Sequence, residues 1–210
     1  MSRAPPRRRA VSRHAYHHGD LRRALLDAAR SVLREAGPEG CSLRGVARRA
    51  GVSHAAPYHH FASREALLGA LAAEGYQALD QSMASAQAAA PPDPAAQLAA
   101  VGMGYFLLAR QQAALFRLMI RPEHLGPKPA TGAPAAGETT CLGPAGRLRA
   151  VLSTLLGRAA AAGETHLCWA AVHGLALLAL DGGLGVPDGA LDAHARTILS
   201  RLADGLAATR

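Results

Sequence analysis

The side chains best suited to chemistry stand between Ser42 and Arg64. Ser42, Arg44, Ser53, His54, Tyr58, His59 and Arg64 supply hydroxyl, guanidinium and imidazole groups, which bond phosphate oxygens and the edges of bases. The ten histidines of the chain raise two other chemistries, metal binding and general acid–base catalysis. Neither finds a frame. His17-His18 and His59-His60 are adjacent pairs, whose side chains diverge on a helix. No HExxH, Gly-x-Ser-x-Gly or Ser-x-x-Lys pattern occurs, and no glycine-rich phosphate loop follows a strand. Cys41, Cys141 and Cys168 are odd in number and far apart, so they suggest neither a metal knuckle nor a disulfide framework. A reducing cytoplasm is the expected setting. The expectation is a protein without metal, cofactor or catalytic residues, an all-helical enzyme being the disfavoured alternative.

Local sequence provides a mount for these groups. Leu43, Val46 and Ala47 recur three and four apart, one face of a short helix. Ala50-Gly51-Val52-Ser53 breaks that face, with Gly51 able to take the positive φ that ends a helix. Val52 is expected to be buried between two helices. Ser53 is placed to cap a second helix, His54 to His60, which is polar until Tyr58 and Phe61. Two short helices joined by a tight turn, the second with an exposed polar start, form a helix-turn-helix.

The stretch resembles the TetR/AcrR family of bacterial one-component transcription regulators. The match rests on Ser42-x-Arg44-x-Val46-Ala47, Ala50-Gly51-Val52-Ser53, Tyr58-His59-His60-Phe61 and Ser63-Arg64-Glu65-x-Leu67-Leu68, within residues 18–70. The resemblance implies an all-α protein. Its N-terminal three-helix DNA-binding head is joined by a long fourth helix to a helical ligand-binding and dimerisation domain. It also implies that Tyr58 and Arg64 hold the DNA backbone while His54 and His59 reach bases; Arg44 could serve either purpose. Two residues depart from the family pattern. Pro57 stands where an apolar helix former is usual, so the recognition helix must be short or start late. His54 stands where Arg or another donor is common, and a histidine is fully charged only when protonated.

Charge follows the same division. The formal +8 lies wholly in residues 1–65, which hold 13 Arg against 5 Asp and Glu; residues 66–210 balance 10 Arg and Lys against 10 Asp and Glu. A polyanion-binding module attached to a neutral one is expected. Residues 1–16, with Arg3, Arg7, Arg8, Arg9 and Arg13, show no helical period and read as a disordered basic arm. That arm is either a minor-groove contact or an inert solubilising tail.

Half the residues are apolar and 4% aromatic, with Ala and Leu dominant, which favours helices throughout. Residues 17–75 read as the head, with the motif at 42–61, and 76–210 as the second domain. The first helix is expected over 21–36, capped by Asp20 and ended by Gly37 and Pro38. Ser63 caps a long helix from Arg64 to about Ala88, stopped by Pro91-Pro92-Asp93-Pro94. Further helices are expected near 95–110, 115–119, 147–162, 166–180 and 191–207. Residues 121–146, rich in Pro, Gly, Ala and Thr, read as a flexible loop. No charge-free apolar run reaches eighteen residues, so no membrane span is expected.

Trp169-x-x-x-His173-Gly174 resembles the signature of a C-terminal domain, the WHG type, found in one TetR subgroup. Trp169 and His173 share a helix face, and Gly174 with Ala176 would let another helix approach. His173 reads first as a core histidine bonded to a neighbour and second as a ligand contact. Met103, Tyr105, Phe106, Phe116, Met119, Trp169 and His173 are the candidate lining of an effector pocket, with plain core as the alternative for each. The helices at 147–162 and 166–180 carry more apolar and small side chains than one core needs, which points to a homodimer through a four-helix bundle. The combined expectation is a cytoplasmic, non-catalytic DNA-binding regulator of transcription. By resemblance it is most often a repressor, released from a palindromic double-stranded operator by a small molecule. Control by a protein partner is the alternative. The identity of the effector, the operator and the sign of regulation are not written in the sequence.

Overall fold

The computed structural model describes residues 18–121 and 136–209. Among them every regular element is helical: α1 His18–Gly40, α2 Leu43–Arg49, a 3₁₀ turn Ala56–His59, α3 Arg64–Ala88, α4 Pro94–Gln111, α5 Ala113–Met119, α6 Ala136–Leu156, α7 Ala162–Leu180, a second 3₁₀ turn Asp188–Ala190 and α8 Leu191–Ala207. The expected basic arm, 1–16, lies outside the described residues, and so do 122–135 of the expected loop.

The head is α1, α2 and the first 3₁₀ turn, closed by the start of α3. α1 buries Leu25, Leu26, Ala29 and Leu33 against Val46, Phe61, Leu67 and Leu68. The helix begins at His18, so Asp20 lies within it instead of capping it. Gly37, at φ 67°, breaks the helical path where the sequence suggested, and one further turn runs on through Pro38.

α3 links head and body. The Ser63 hydroxyl accepts the Ala66 N–H at 3.2 Å, and the helix stops at Ala88, just before the prolines. Its first turns pack on α1, the rest on α4, α5 and α6. α4 is the centre of the body. Asp93 caps it by accepting the Ala96 N–H at 2.8 Å, and every residue from Val101 to Phe106 is buried. A helix apolar on all sides belongs inside, and α3, α5, α6, α7 and α8 surround it. Its tightest crossing is at Gly104. There a Cβ would lie 2.6 Å from the Ser82 carbonyl oxygen, and the Ser82 hydroxyl donates to the Gly104 carbonyl at 2.7 Å.

The second half of the body departs from expectation at its start. Helix α6 begins at Ala136 and ends at Leu156, so residues 136–146 are helical where a flexible loop was expected. Proline lies within it at 144, and the alanines and the acid of that stretch suit a helix as well as a loop. Arg147 then clamps α6 to α3, its guanidinium donating to both Asp80 oxygens at 2.9 and 3.0 Å and to Gln87 at 3.2 Å. Helix α7 starts at Ala162, earlier than the expected 166. Among the described residues Gly174 faces no close neighbour: nothing lies within 4 Å of the position a Cβ would take, so the expected helix approach does not occur there.

Candidate nucleic-acid interface and ligand cavity

The helix-turn-helix is built from backbone bonds at its corner. Ser42 caps α2, its hydroxyl accepting the Gly45 N–H at 3.0 Å. Gly51, at φ 69°, turns the chain, while the Val52 N–H reaches the Ala47 carbonyl at 3.0 Å. Only glycine takes that backbone conformation without strain. Val52 is half-buried, not sealed between two helices as expected. The second helical element is shorter than the expected helix from His54 to His60. His54 and Ala55 form a turn, and Ala56–His59 is a single 3₁₀ turn. Pro57, buried in that turn, accounts for this, since it lacks an N–H to extend an α-helical ladder. The Ser53 cap is not formed; the bond that starts the turn runs from the Ala56 N–H to the Ser53 backbone carbonyl at 3.0 Å.

Six of the seven predicted contact residues lie exposed between Ser42 and His59. Ser42, Arg44, Ser53, His54, Tyr58 and His59 are all exposed, and the Tyr58 ring, at 53%, is among the largest apolar surfaces left in the open. Arg48, one turn beyond Arg44 on α2, is also exposed and has no carboxylate partner among the described residues, a position the sequence reading passed over. Arg49 differs, forming a two-pronged pair with Glu35 whose hydrogen bonds hold the Glu35 carboxyl below its usual pKa.

Arg64 stands apart from the other six. Its Nε donates to the Cys41 carbonyl at 2.8 Å and its Nη2 to the Pro38 carbonyl at 2.6 Å, with the Glu39 carboxylate at 3.3 Å. The guanidinium thus fastens the α1–α2 link to the start of α3, a task not foreseen for a residue expected to hold DNA. Glu39 also meets Arg121, at the end of α5, at 3.2 Å.

The body holds a partly open cavity of about 420 Å³. Tyr105, Phe116, Met119, Trp169 and His173 line it as expected by type. Met103 does not: it lines a separate groove between the end of α3 and helices α4 and α8, beside Arg196. Phe106 is fully buried and does not line the cavity either. Because α4 is buried on all faces, its periodicity could not tell which aromatic turned inward. The sequence reading missed Tyr76 and Leu79 of α3, Ile120, Ala145 of α6 and His166 of α7. Tyr76 and Leu79 are members of the apolar stripe of α3, so nothing in their spacing separated cavity wall from core.

Polar bonds fix the walls. The Tyr76 hydroxyl donates to the Met119 carbonyl at 3.0 Å, and the Tyr105 hydroxyl meets His173 Nδ1 at 2.7 Å. Tyr105 stands edge-on to Phe116 and Trp169, with ring centres 5.6 and 5.3 Å apart. His173 is therefore both the bonded core histidine and a cavity residue. Burial lowers its pKa and favours the neutral ring. Burial likewise raises the Cys41 and Cys168 thiols, which makes both poor nucleophiles. Among the described residues no cluster of His, Cys, Asp and Glu could hold a metal, and no helix is long and apolar enough to cross a membrane.

The outer face of α7 is apolar. Leu167 and Leu178 are 53% and 49% exposed, and Ala171 and Gly174 lie between them on the same side.

Residues 25–71 match the family model for bacterial regulatory proteins, tetR family, and residues 98–202 match that for the tetracyclin repressor-like, C-terminal domain. No curated protein matches the sequence. Among solved structures, a protein of unknown function from Rhodococcus sp. RHA1 is 32% identical over 93% of this chain and 98% of its own, with a TM-score of 0.73. A candidate TetR-family transcription regulator from Shewanella sp. PV-4 is 21% identical over 87% of this chain and 95% of its own, with a TM-score of 0.65. The transcriptional regulator FadR from Bacillus subtilis, solved in complex with stearoyl-CoA, is 18% identical over 87% and 98%, with a TM-score of 0.64.

Proposed function

The chain belongs to the TetR family of regulatory proteins, and from that premise we propose that it is a homodimeric repressor, released from a palindromic operator by a small molecule held in the body. The observation that carries this reading is the placement of the two candidate sites along α3. Near Arg64 that helix enters the head with its exposed donors; at Tyr76 and Leu79 it forms a wall of the cavity. A ligand that favours one tilt of α3 would change the spacing of two heads. It must bind the DNA-incompetent arrangement more tightly, since equal affinity shifts nothing. FadR, held with stearoyl-CoA, is a precedent for a small molecule on this fold.

Ser42, Arg44, Ser53, His54, Tyr58 and His59 are the proposed DNA contacts, joined by Arg48, and Arg64 holds the head in shape. The Leu167–Leu178 face of α7, with the exposed small residues of α6, is the proposed dimer seam. The Trp-x-x-x-His-Gly helix is consistent with the WHG-type subgroup. The protein works without catalysis, in the cytoplasm where its operator lies. The test uses Trp169, the only tryptophan of the chain. A panel of apolar and amphipathic molecules is screened for a change in its emission, and each hit is added to the protein–operator complex. Hits that release DNA support the reading; a panel that alters neither signal leaves control by a partner in its place.

A further inference from the structure

We propose that the cleft between α1 and the corner where α4 passes into α5 is a second binding site, and that it takes a small phosphate-type oxyanion. The cleft is partly open and measures about 410 Å³. It shares no lining residue with the cavity described above, so it stands whatever that cavity holds. Arg30, Leu33 and Arg34 of the head form one wall; Arg110, Gln111 and Gln112 of the body begin the other. Arg30 and Arg34 are four residues apart and share a face of α1.

Several donors of these walls find no acceptor among the described residues. Arg110 is not one of them, since Asp188 and Asp192 hold its guanidinium. Arg30 is half answered. Its Nη2 donates to Glu74 at 2.7 Å, while its Nε is buried and has no hydrogen-bond partner. Arg34 meets no carboxylate; its one bond reaches the Ser31 hydroxyl at 3.5 Å. The side-chain amides of Gln111 and Gln112 make no hydrogen bond either, and Gln112 is half-buried. Water can serve the exposed groups, but it does not reach the Arg30 Nε. A buried donor left without a partner costs free energy. A small turn of that guanidinium toward an anion in the cleft would answer it. The spread of donors over two walls selects the anion. A carboxylate offers two oxygens in one plane. A phosphate group offers oxygens in several directions, each able to accept more than one bond, and guanidinium forks fit its edges. The volume leaves room for a body attached to the phosphate, against Leu33 and Leu115. Bonded from both walls, the anion would tie head to body.

The test titrates the full-length, DNA-free protein calorimetrically with sodium phosphate and with sodium acetate, chloride holding the ionic strength constant. Phosphate should bind saturably, and acetate about tenfold more weakly, the effect of one charge-assisted hydrogen bond. Arg34→Gln breaks no ion pair among the described residues and should fold as the parent does, yet weaken phosphate by about tenfold. Gln112→Ala, on the opposite wall, should weaken it by about two- to fivefold. Arg149→Gln removes the same charge from an exposed site outside the cleft and should leave the affinity unchanged. No saturable phosphate binding, equal binding of acetate, equal losses in Arg34→Gln and Arg149→Gln, or a Gln112→Ala variant that binds as the parent does would each overturn the proposal. DNA is the other source of phosphate groups, and a random-sequence duplex separates the two. Its salt slope should be the same for Arg34→Gln and the parent; a slope reduced by about one would assign Arg34 to the DNA backbone and overturn the small-anion site.

Discussion

Around residues 42–59 the proposed DNA contacts lie close together in sequence and are exposed. The residues of the pocket come from α3, α4, α5, α6 and α7, and half of them are buried. The first site is a surface laid on a small three-helix frame. The second is a gap left in the packing of the body, so the residues that would recognise a ligand also hold the fold. Changes in the head should therefore separate binding from stability, whereas changes in the body should move both.

The strongest way to break that contrast is at Gly104. Gly104→Val places side-chain atoms against the α3 backbone, where even a Cβ would be 2.6 Å from the Ser82 oxygen. It should destabilise the protein by about 3 kcal/mol in urea unfolding, with ligand binding lost alongside. An unchanged urea midpoint would mean the crossing has room for a side chain. A pair of arginines sharpens the contrast within the head. Arg44→Ala should weaken operator binding by about 1–2 kcal/mol and reduce the salt slope by about one, with no change in melting temperature. Arg64→Ala should instead lower stability by about 1–2 kcal/mol, because two backbone carbonyls lose a charged donor, and should leave the salt slope alone. Interchanged outcomes would return Arg64 to the DNA surface.

The serines make a smaller test of the same frame. Ser42→Ala removes a formed cap and should cost about 1 kcal/mol, while Ser53→Ala should fall within about 0.5 kcal/mol of the parent. In the body, His173 ties stability to pH. Its folded pKa is lowered by burial, so the unfolded chain binds the proton more readily. The stabilising effect is complete above the unfolded value of about 6.5 and is lost as pH falls through the folded pKa. Unfolding midpoints of the parent and His173→Asn, compared between pH 7.5 and 5, should converge toward the acid end.

How much of this was legible depends on whether the signal was local. The bounds of α3 and α8 followed from caps, stripes and prolines read in place. The shortness of the recognition element was legible in Pro57, whereas the cap was assigned to Ser53 because its turn geometry was invisible. The start of α6 was missed because alanine, glycine and proline describe a loop by composition while the helix depends on packing around it. At the cavity, residue type pointed to Tyr105, Phe116 and Trp169. Only the fold could bring Tyr76 and His166 to the same wall and turn Phe106 away. Arg64 reads as a phosphate contact from its place after the motif; the bonds it makes within the chain run to carbonyls more than twenty residues earlier, which no local pattern announces.

The central claim is that two copies of this chain read one operator through the exposed residues of the head. Selection of bound fragments from a random DNA pool by the purified protein tests it most directly. The expected result is an enriched near-palindrome with half-sites about 34 Å apart, or a multiple of that spacing, bound by an even number of chains. A pool that stays random after selection, with affinity set by salt alone, would contradict it.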